Sequence, residues 1–254
     1  MLETISSPAE WQRLPRTRGF SGKTVGLVPT MGALHKGHIS LVNRCIKEND
    51  ISVVSIFINP TQFNNSDDFS NYPKTIQKDR ALLEEAGVQY LFLPTYNNLY
   101  KDGYVFKIIE TDFSKKLCGI HRPGHFDGVL TVVMKLLNII KPDRAYFGEK
   151  DFQQFILIKK MAEAFFIKTE IISCETVRED SGLACSSRNN LLKPGDKKIA
   201  PEFHHTLKQK IPTEETERKL EKFGFKVDYI KDLNERRFGA VSLSKIRLID
   251  NVKQ

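Results

Sequence analysis

The sequence predicts an α/β protein: a doubly wound parallel sheet, followed by a smaller α+β unit. Three observations carry this. Between residues 24 and 177, short β-branched runs alternate with longer stretches of helical period, the pattern of parallel strands joined by right-handed crossover helices. After about residue 178 the alternation gives way to polar helical segments and then to a β-like ending. The length of 254 residues suits two domains of ordinary size, and we set their ranges at 1–178 and 179–254. Strands wrapped on both faces in this way form a Rossmann-like, nucleotide-binding architecture.

The elements follow in order. "TVGLV" (24–28) is a short apolar run ending at Pro29 and reads as a strand. From His38 onward, Ile39, Leu41, Val42, Cys45 and Ile46 recur at helical spacing. "ISVVSIFI" (51–58) has the β-branched character of a strand buried on both faces. "TIQKDRALLEEAG" (75–87) reads as a helix closed by Gly87, and "VQYLFLP" (88–94) as the next strand. "FDGVLTVVMKLLNIIKP" (126–142) is an apolar helix stopped before Pro142. It is followed by the strand "RAYFG", the helix "DFQQFILIKKMAEAFF" (151–166) and the strand "TEIISCETV" (169–177). In the second unit, "KIAPEFHHTLKQKI" and "EETERKLEKFG" read as helices, and "VDYIKDLN" and "KIRLIDN" as strands.

Composition bounds the function. The chain is 40% hydrophobic and 28% charged, with no low-complexity tract, as expected of a globular protein. No apolar run approaches the 18 or so residues of a spanning helix, and "MLETISSPAEWQRL" lacks the basic start and apolar centre of a signal peptide. A cytoplasmic protein without a membrane partner is expected. Cys45, Cys118, Cys174 and Cys185 form no CxxC pair, which fits reduced thiols better than a disulfide framework or a zinc site. The net charge is +8, and from Lys193 to the end 15 Lys+Arg stand against 10 Asp+Glu. This surplus suits anionic ligands, either nucleotide phosphates or nucleic acid.

Three segments carry the chemistry. In a doubly wound sheet, ligands sit outside the carboxyl ends of the strands, which is where Pro29, Thr30, Met31 and the rest of "PTMGALHKGH" must lie. Gly32 and Gly37 permit close backbone approach, and a helix opening near Gly37 offers free N–H groups to a phosphate. His35 and His38 can then donate to phosphoryl oxygens as charge develops. The second segment, "YFGEKDFQQ" (146–154), again follows a strand and opens a helix. Gly148 allows approach, Lys150 can neutralise a triphosphate, and Gln153 or Gln154 can bind a polar substrate. In the third, "LACSSRNNLL" (183–192), Ser186, Ser187 and Arg188 suit a phosphate clamp. In "HRPGH", Pro123 and Gly124 argue for a turn rather than a metal motif.

Taken together, "PTMGALHKGH", "INPTQF" with "YPKT", "HRPGHFDGV", "FGEKDFQQ", "VREDSGLACSSRN" and the terminal "RLIDN" resemble, in order and over nearly the whole chain, the pantothenate synthetases, the pantoate–β-alanine ligases. That family belongs to a wider nucleotidyltransferase group with a His-x-x-His helix mouth. The resemblance implies that pantoate is activated by ATP as an adenylate, with release of pyrophosphate, and that β-alanine then displaces AMP. It implies Mg²⁺ accompanying ATP, no tightly bound organic cofactor, no nucleic-acid partner and a homodimer. It carries over His38, His35, Lys150 and Arg188 as catalytic. Met31, Gly32, Gly148, Asp151, Val177, Cys185, Ser186 and Ser187 come with them around ATP. Gln62 and Gln154 match the pantoate pair. Asn59, Tyr72, Arg122 and His125 match positions near the acid and amine. Asp79 is a metal-side carboxylate on a surface helix. Cys185 stands where the family usually has Met, and the region after Asn190 reads as shorter than the family norm. An adenylyl transfer that stops at the adenylylated product, and a tRNA-synthetase-like RNA-binding protein, are the alternatives. The second would need aromatic residues interleaved with the basic tail on one surface.

Overall fold

The computed structural model describes residues 2–254, apart from the side chains at positions 15 and 16. Six strands form a fully parallel sheet in the order β1-β4-β3-β2-β5-β6. They are β1 (Glu3–Ile5), β2 (Val25–Thr30), β3 (Ile51–Ile56), β4 (Tyr90–Phe92), β5 (Arg144–Gly148) and β6 (Glu170–Cys174). The chain builds outward from β2 in one direction, then restarts beside β2 with β5 and builds in the other. The switch point therefore falls between β2 and β5.

Side chains alternate across this sheet, so one strand feeds two cores. Leu27, Val53, Ala145 and Phe147 point into one core. Its helices are α1 (Pro8–Thr17), α7 (His125–Ile140) and α8 (Phe152–Ala164). Val28, Val54 and Tyr146 point into the other, which is covered by α2 (Lys36–Glu48) and α4 (Ile76–Ala86). Short helices α3 (Ser66–Ser70), α5 (Tyr96–Leu99) and α6 (Cys118–His121) lie in the connections.

The second unit contains α9 (Pro194–Ile199), α10 (Pro201–Leu207) and α11 (Thr213–Lys222). An antiparallel sheet follows, made of β7 (Lys226–Leu233), β8 (Arg236–Leu243) and β9 (Ile246–Lys253). One face of this sheet forms a third core with Phe203, Leu207 and Leu220. Residues from its other face, Tyr229, Phe238 and Ala240, join the core of α7 and α8. The small sheet is thus packed against the large unit. Among the described residues, no helix is long and apolar enough to cross a membrane, and all four cysteines are free and buried.

The expected elements form with shifted ends. β2 runs through Pro29 to Thr30, because the proline nitrogen needs no ladder partner there and the carbonyls continue to pair with β3. Helix α2 begins at Lys36, ahead of the first apolar residue. Strands β1 and β8, helix α1 and the short helices α3, α5 and α6 are additional to the sequence reading.

Candidate active site

The first loop is bent by its own backbone. β2 ends at Thr30, whose hydroxyl accepts from the Gly32 amide (3.1 Å). Gly32 and Ala33 follow at φ +80° and +51°, in the region that favours glycine. A Cβ on Gly32 would lie 3.0 Å from the Asp79 carboxylate. His35 then caps α2, its Nδ1 accepting from the Gly37 amide at 3.1 Å. This bond fixes the tautomer, with the proton on Nε2. Only glycine suits position 37, since a Cβ there would meet the His35 ring at 2.9 Å. One turn on, the His38 ring lies against that of His35, centroids 4.1 Å apart.

The second loop leaves β5 and enters α8 through residues 149–151, on the other side of the switch point. Lys150 lies 3.6 Å from Asp151. The third loop is braced by an antiparallel bridge between Arg178 and Ala184 and by the Cys185 amide donating to Val177 O (2.9 Å). Beyond it, Ser186 accepts from the Arg188 amide, and the Arg188 guanidinium reaches Asp68 of α3 at 3.0 Å.

A fourth group descends from the loop after β3. Asn59 donates to Gln62 Oε1 (3.2 Å) and to Gly128 O (3.1 Å). Gln62 Nε2 contacts Met31 Sδ at 3.0 Å. His125 Nδ1 donates to Gln62 O (2.7 Å), so its Nε2 accepts from Arg122 Nη1 (3.1 Å). "HRPGH" is a turn, as its Pro-Gly predicts: Gly124 stands at φ +76° before α7, and His121 stacks on Tyr229 instead of joining His125.

These groups surround one cavity of about 240 Å³. Pro29, Thr30, Met31, His35, Gly37, His38, Gln62, Tyr72, Arg122, His125, Gly148, Lys150, Asp151, Gln154, Val177, Cys185, Ser186, Ser187 and Arg188 all line it. Three expected residues do not. Gly32 faces Asp79 behind the loop. Asn59 is buried and orients Gln62 from behind. Asp79 departs furthest from expectation. It is not on a surface helix but 1% exposed, and its carboxylate accepts from the Ala33 amide (2.9 Å), the Leu34 amide (2.8 Å) and the Thr75 hydroxyl (3.2 Å). With both oxygens engaged in holding the loop, Asp79 has no oxygen aimed at a metal, and the described residues contain no cluster of three metal-ligating side chains. Gln153, the alternative to Gln154, is likewise structural, binding Cys118 N, Phe113 O and Lys116 O.

The cavity wall also includes Phe57, Phe63, Val129, Val132, Val133, Leu136, Glu175 and Thr176, which the sequence reading did not single out. The α7 residues had a signal. The helix is apolar almost all round, which demands burial on more than one side; one side meets the core and another the cavity.

The site is cationic without charged histidines. Burial first, then neighbouring Lys150, pushes His35 down to about 4. Burial and the adjoining His35 ring push His38 down to about 3. Burial and Arg122 push His125 down to about 3. Arg122 itself is lowered to about 10 by burial and by Arg188 and Arg247, yet remains charged at neutral pH. Neutral imidazoles thus offer directed N–H donors, while Lys150, Arg122 and Arg188 supply positive charge. That combination suits a polyanion beside a small polar acid. In the tail, by contrast, Arg236, Arg237 and Arg247 are paired with Glu149, Asp232 and Asp228, which withdraws them from a nucleic-acid surface.

Fold and site together define an α/β protein of the nucleotide-binding class, with its cavity at the topological switch point. Comparison with known proteins narrows this. Residues 2–253 match the model of the Pantoate-beta-alanine ligase family, and the chain belongs to that family. It is 51% identical over 242 residues to a pantothenate synthetase of Legionella pneumophila, covering 95% of this chain and 96% of the relative. It is 49% identical to that of Bdellovibrio bacteriovorus over 100% of both chains. The crystal structure of a pantoate-beta-alanine ligase from Francisella tularensis, complexed with β,γ-ATP and β-alanine, superposes with a TM-score of 0.94 at 43% identity, covering 100% of this chain and 98% of that one. These relatives are matched over 96–100% of their own length, so the chain as a whole is not short beside them. The protein is an ATP-using ligase that joins pantoate to β-alanine.

Proposed function

We propose that the reaction runs through a pantoyl adenylate formed in the 240 Å³ cavity. The observation that carries this is the convergence of two neutral histidines, Lys150 and the Ser186–Arg188 loop with Gln62 and Gln154 on one wall-to-wall site. Pantoate lies against Gln62 and Gln154, whose neutral amides bind hydroxyl and carboxylate oxygens alike. ATP places its phosphates between α2, Lys150 and Arg188. The pantoate carboxylate attacks the α-phosphorus, and the charge gathering on the departing pyrophosphate is met by His35, His38, Lys150 and Arg188. Arg122 and His125 stand beside the acid and receive the β-alanine carboxylate. The amine then displaces AMP. No protein nucleophile is required; positioning and charge stabilisation do the work.

Mg²⁺ would be held chiefly by the phosphate oxygens of ATP, which it prefers to all-protein cages. Asp151, partly exposed in the cavity, is a carboxylate that would approach it. When bound, the ion would neutralise phosphate charge. We further assign residues 179–254 as a domain that closes over the nucleotide, and the protein as a cytoplasmic homodimer. Support for the dimer comes from the exposed Val105, Phe106 and Ile109, which offer an apolar face. Product analysis tests the reading: AMP and pantothenate in equal amounts from ATP, pantoate and β-alanine support it, while ADP formation or a requirement for tRNA refutes it.

A further inference from the structure

The terminal motif "RLIDN" lies on β9, outside every substrate role assigned above, and yet two of its residues reach the active-site loops. Asn251 is 4% exposed. Its Nδ2 donates to two successive carbonyls, Glu149 O at 2.8 Å and Lys150 O at 2.9 Å. Its Oδ1 accepts from Arg236 of the neighbouring strand. The Arg236 guanidinium also pairs with the Glu149 carboxylate at 3.1 Å and stacks over the Phe152 ring at 3.8 Å. The adjoining residue, Asp250, is equally buried. It accepts two bonds from Arg178, at 2.7 and 3.0 Å, and one from His204 Nδ1 at 3.1 Å. Its Oδ1 also accepts from the Asn251 amide. Arg178 is the root of the third loop: it follows Val177, bridges Ala184 and donates to Gly182 O.

Two consecutive residues of one strand therefore hold two loops that are distant in sequence. Asn251 fixes the backbone that presents Lys150, and Asp250 fixes the arm that presents Ser186 to Arg188. We propose that Asp250 and Asn251 are positioning residues for adenylation, a clasp that sets the separation of Lys150 from the Ser186–Arg188 loop across the nucleotide phosphates. The clasp acts through other residues and touches no reacting atom. It also accounts for the composition of the motif. The carbonyl pair needs a side chain with an N–H₂ group, whereas Arg178 and His204 need a carboxylate. Each residue suits its own loop and not the other's. The inference rests on the adenylation reading above.

Asn251→Asp tests it, being equal in size but unable to donate to either carbonyl; Arg236→Lys is the milder companion, retaining charge without the fork. The measurements are kcat and KM for pantoate-dependent exchange of pyrophosphate into ATP, thermal melting, and hydrogen exchange of the peptide covering 149–152. A displacement of about 1 Å in a positioned group costs on the order of 10² in rate. We expect exchange kcat to fall about 10- to 100-fold in Asn251→Asp and less in Arg236→Lys. The KM for pantoate should stay within about twofold, because Gln62 is held by Asn59 and Gln154 is carried by helix α8 beyond the clasped segment, and amide exchange at 149–152 should quicken. Unchanged kcat in Asn251→Asp, with His38→Ala inactive, overturns the clasp and leaves the adenylation reading standing. A rise in pantoate KM parallel to the loss of kcat and of melting temperature also overturns it, since that marks general loosening. If His38→Ala is itself fully active, the adenylation reading falls and the clasp's role falls with it.

Discussion

Lowering the pH from 7 to 5 should destabilise the protein through three histidines at the active site. An unfolded histidine takes up its proton near pH 6.5. His125 and His38 are pushed down to about 3, and His35 to about 4, so all three remain neutral in the native state at pH 5. Their pKa values are depressed on folding, so the unfolded chain binds more protons below 6.5. Stability is then lost as pH falls from 6.5 toward the folded values. The slope is about 1.4 kcal/mol per pH unit per group, and buried His125 contributes a loss of about 2 kcal/mol by pH 5. His38, whose Nδ1 is sealed from solvent without a partner, contributes a similar amount, and half-buried His35 contributes less because solvent screens it. The combined loss of about 4 kcal/mol or more is a large share of the roughly 5–15 kcal/mol that holds a domain folded. Asp250 does not confuse this window. Burial acts to raise Asp250, but bonds from His204 and Arg178 outweigh it and hold the group below its ordinary range, so its contribution is lost only at more acid pH. Urea unfolding at pH 7 and pH 5 measures the effect, with His125→Gln as the comparison. The wild type should lose about 2 kcal/mol more than the variant between the two pH values. Equal losses in the two proteins would refute the assignment of His125 as a histidine held neutral by burial.

Three further outcomes are expected from the site. His38→Ala should fold normally and lose adenylation by about 10² or more, the usual effect of removing one preorganised donor; single-turnover formation of the adenylate checks this. Gln62→Ala or Gln154→Ala should weaken pantoate binding and leave nucleotide affinity nearly unchanged, as calorimetry with each ligand would show, because each removes a partner from the acid alone. Arg188→Ala should depress adenylation by about 10² and Arg188→Lys should restore only part of it, since a point charge does not reproduce a bidentate fork; steady-state rates of the two variants decide it.

Much of this was legible in the sequence. Alternating β-branched and helical segments gave five of the six strands of the large sheet, because strands buried on both faces are continuously apolar and crossover helices are strongly periodic. β1 was not legible: three residues at a sheet edge carry too little pattern. Helix α1 did have a signal in Ser7-Pro8, where Ser7 caps the helix and Pro8 opens it. β8 was obscured because only Val241 in it is β-branched and Gly239 stands at its middle, where helix α10 leans on the strand; a Cβ there would come within 2.9 Å of Leu207 and Phe203. In the site, loop residues with chemistry-bearing side chains were readable from their place after a strand. Asp79 was misread because helical position alone does not reveal that the loop after β2 lies over it. The link from Asn251 to Lys150 spans about a hundred residues and has no local signature at all.

The central claim is that pantoate is activated before the amine takes part. Exchange of labelled pyrophosphate into ATP tests it most directly, since a reversible first step needs ATP and pantoate only. The account predicts exchange with pantoate present and β-alanine absent, none without pantoate, and a loss of about 10² in His38→Ala. Exchange that appears only when β-alanine is added would contradict a separate adenylation step.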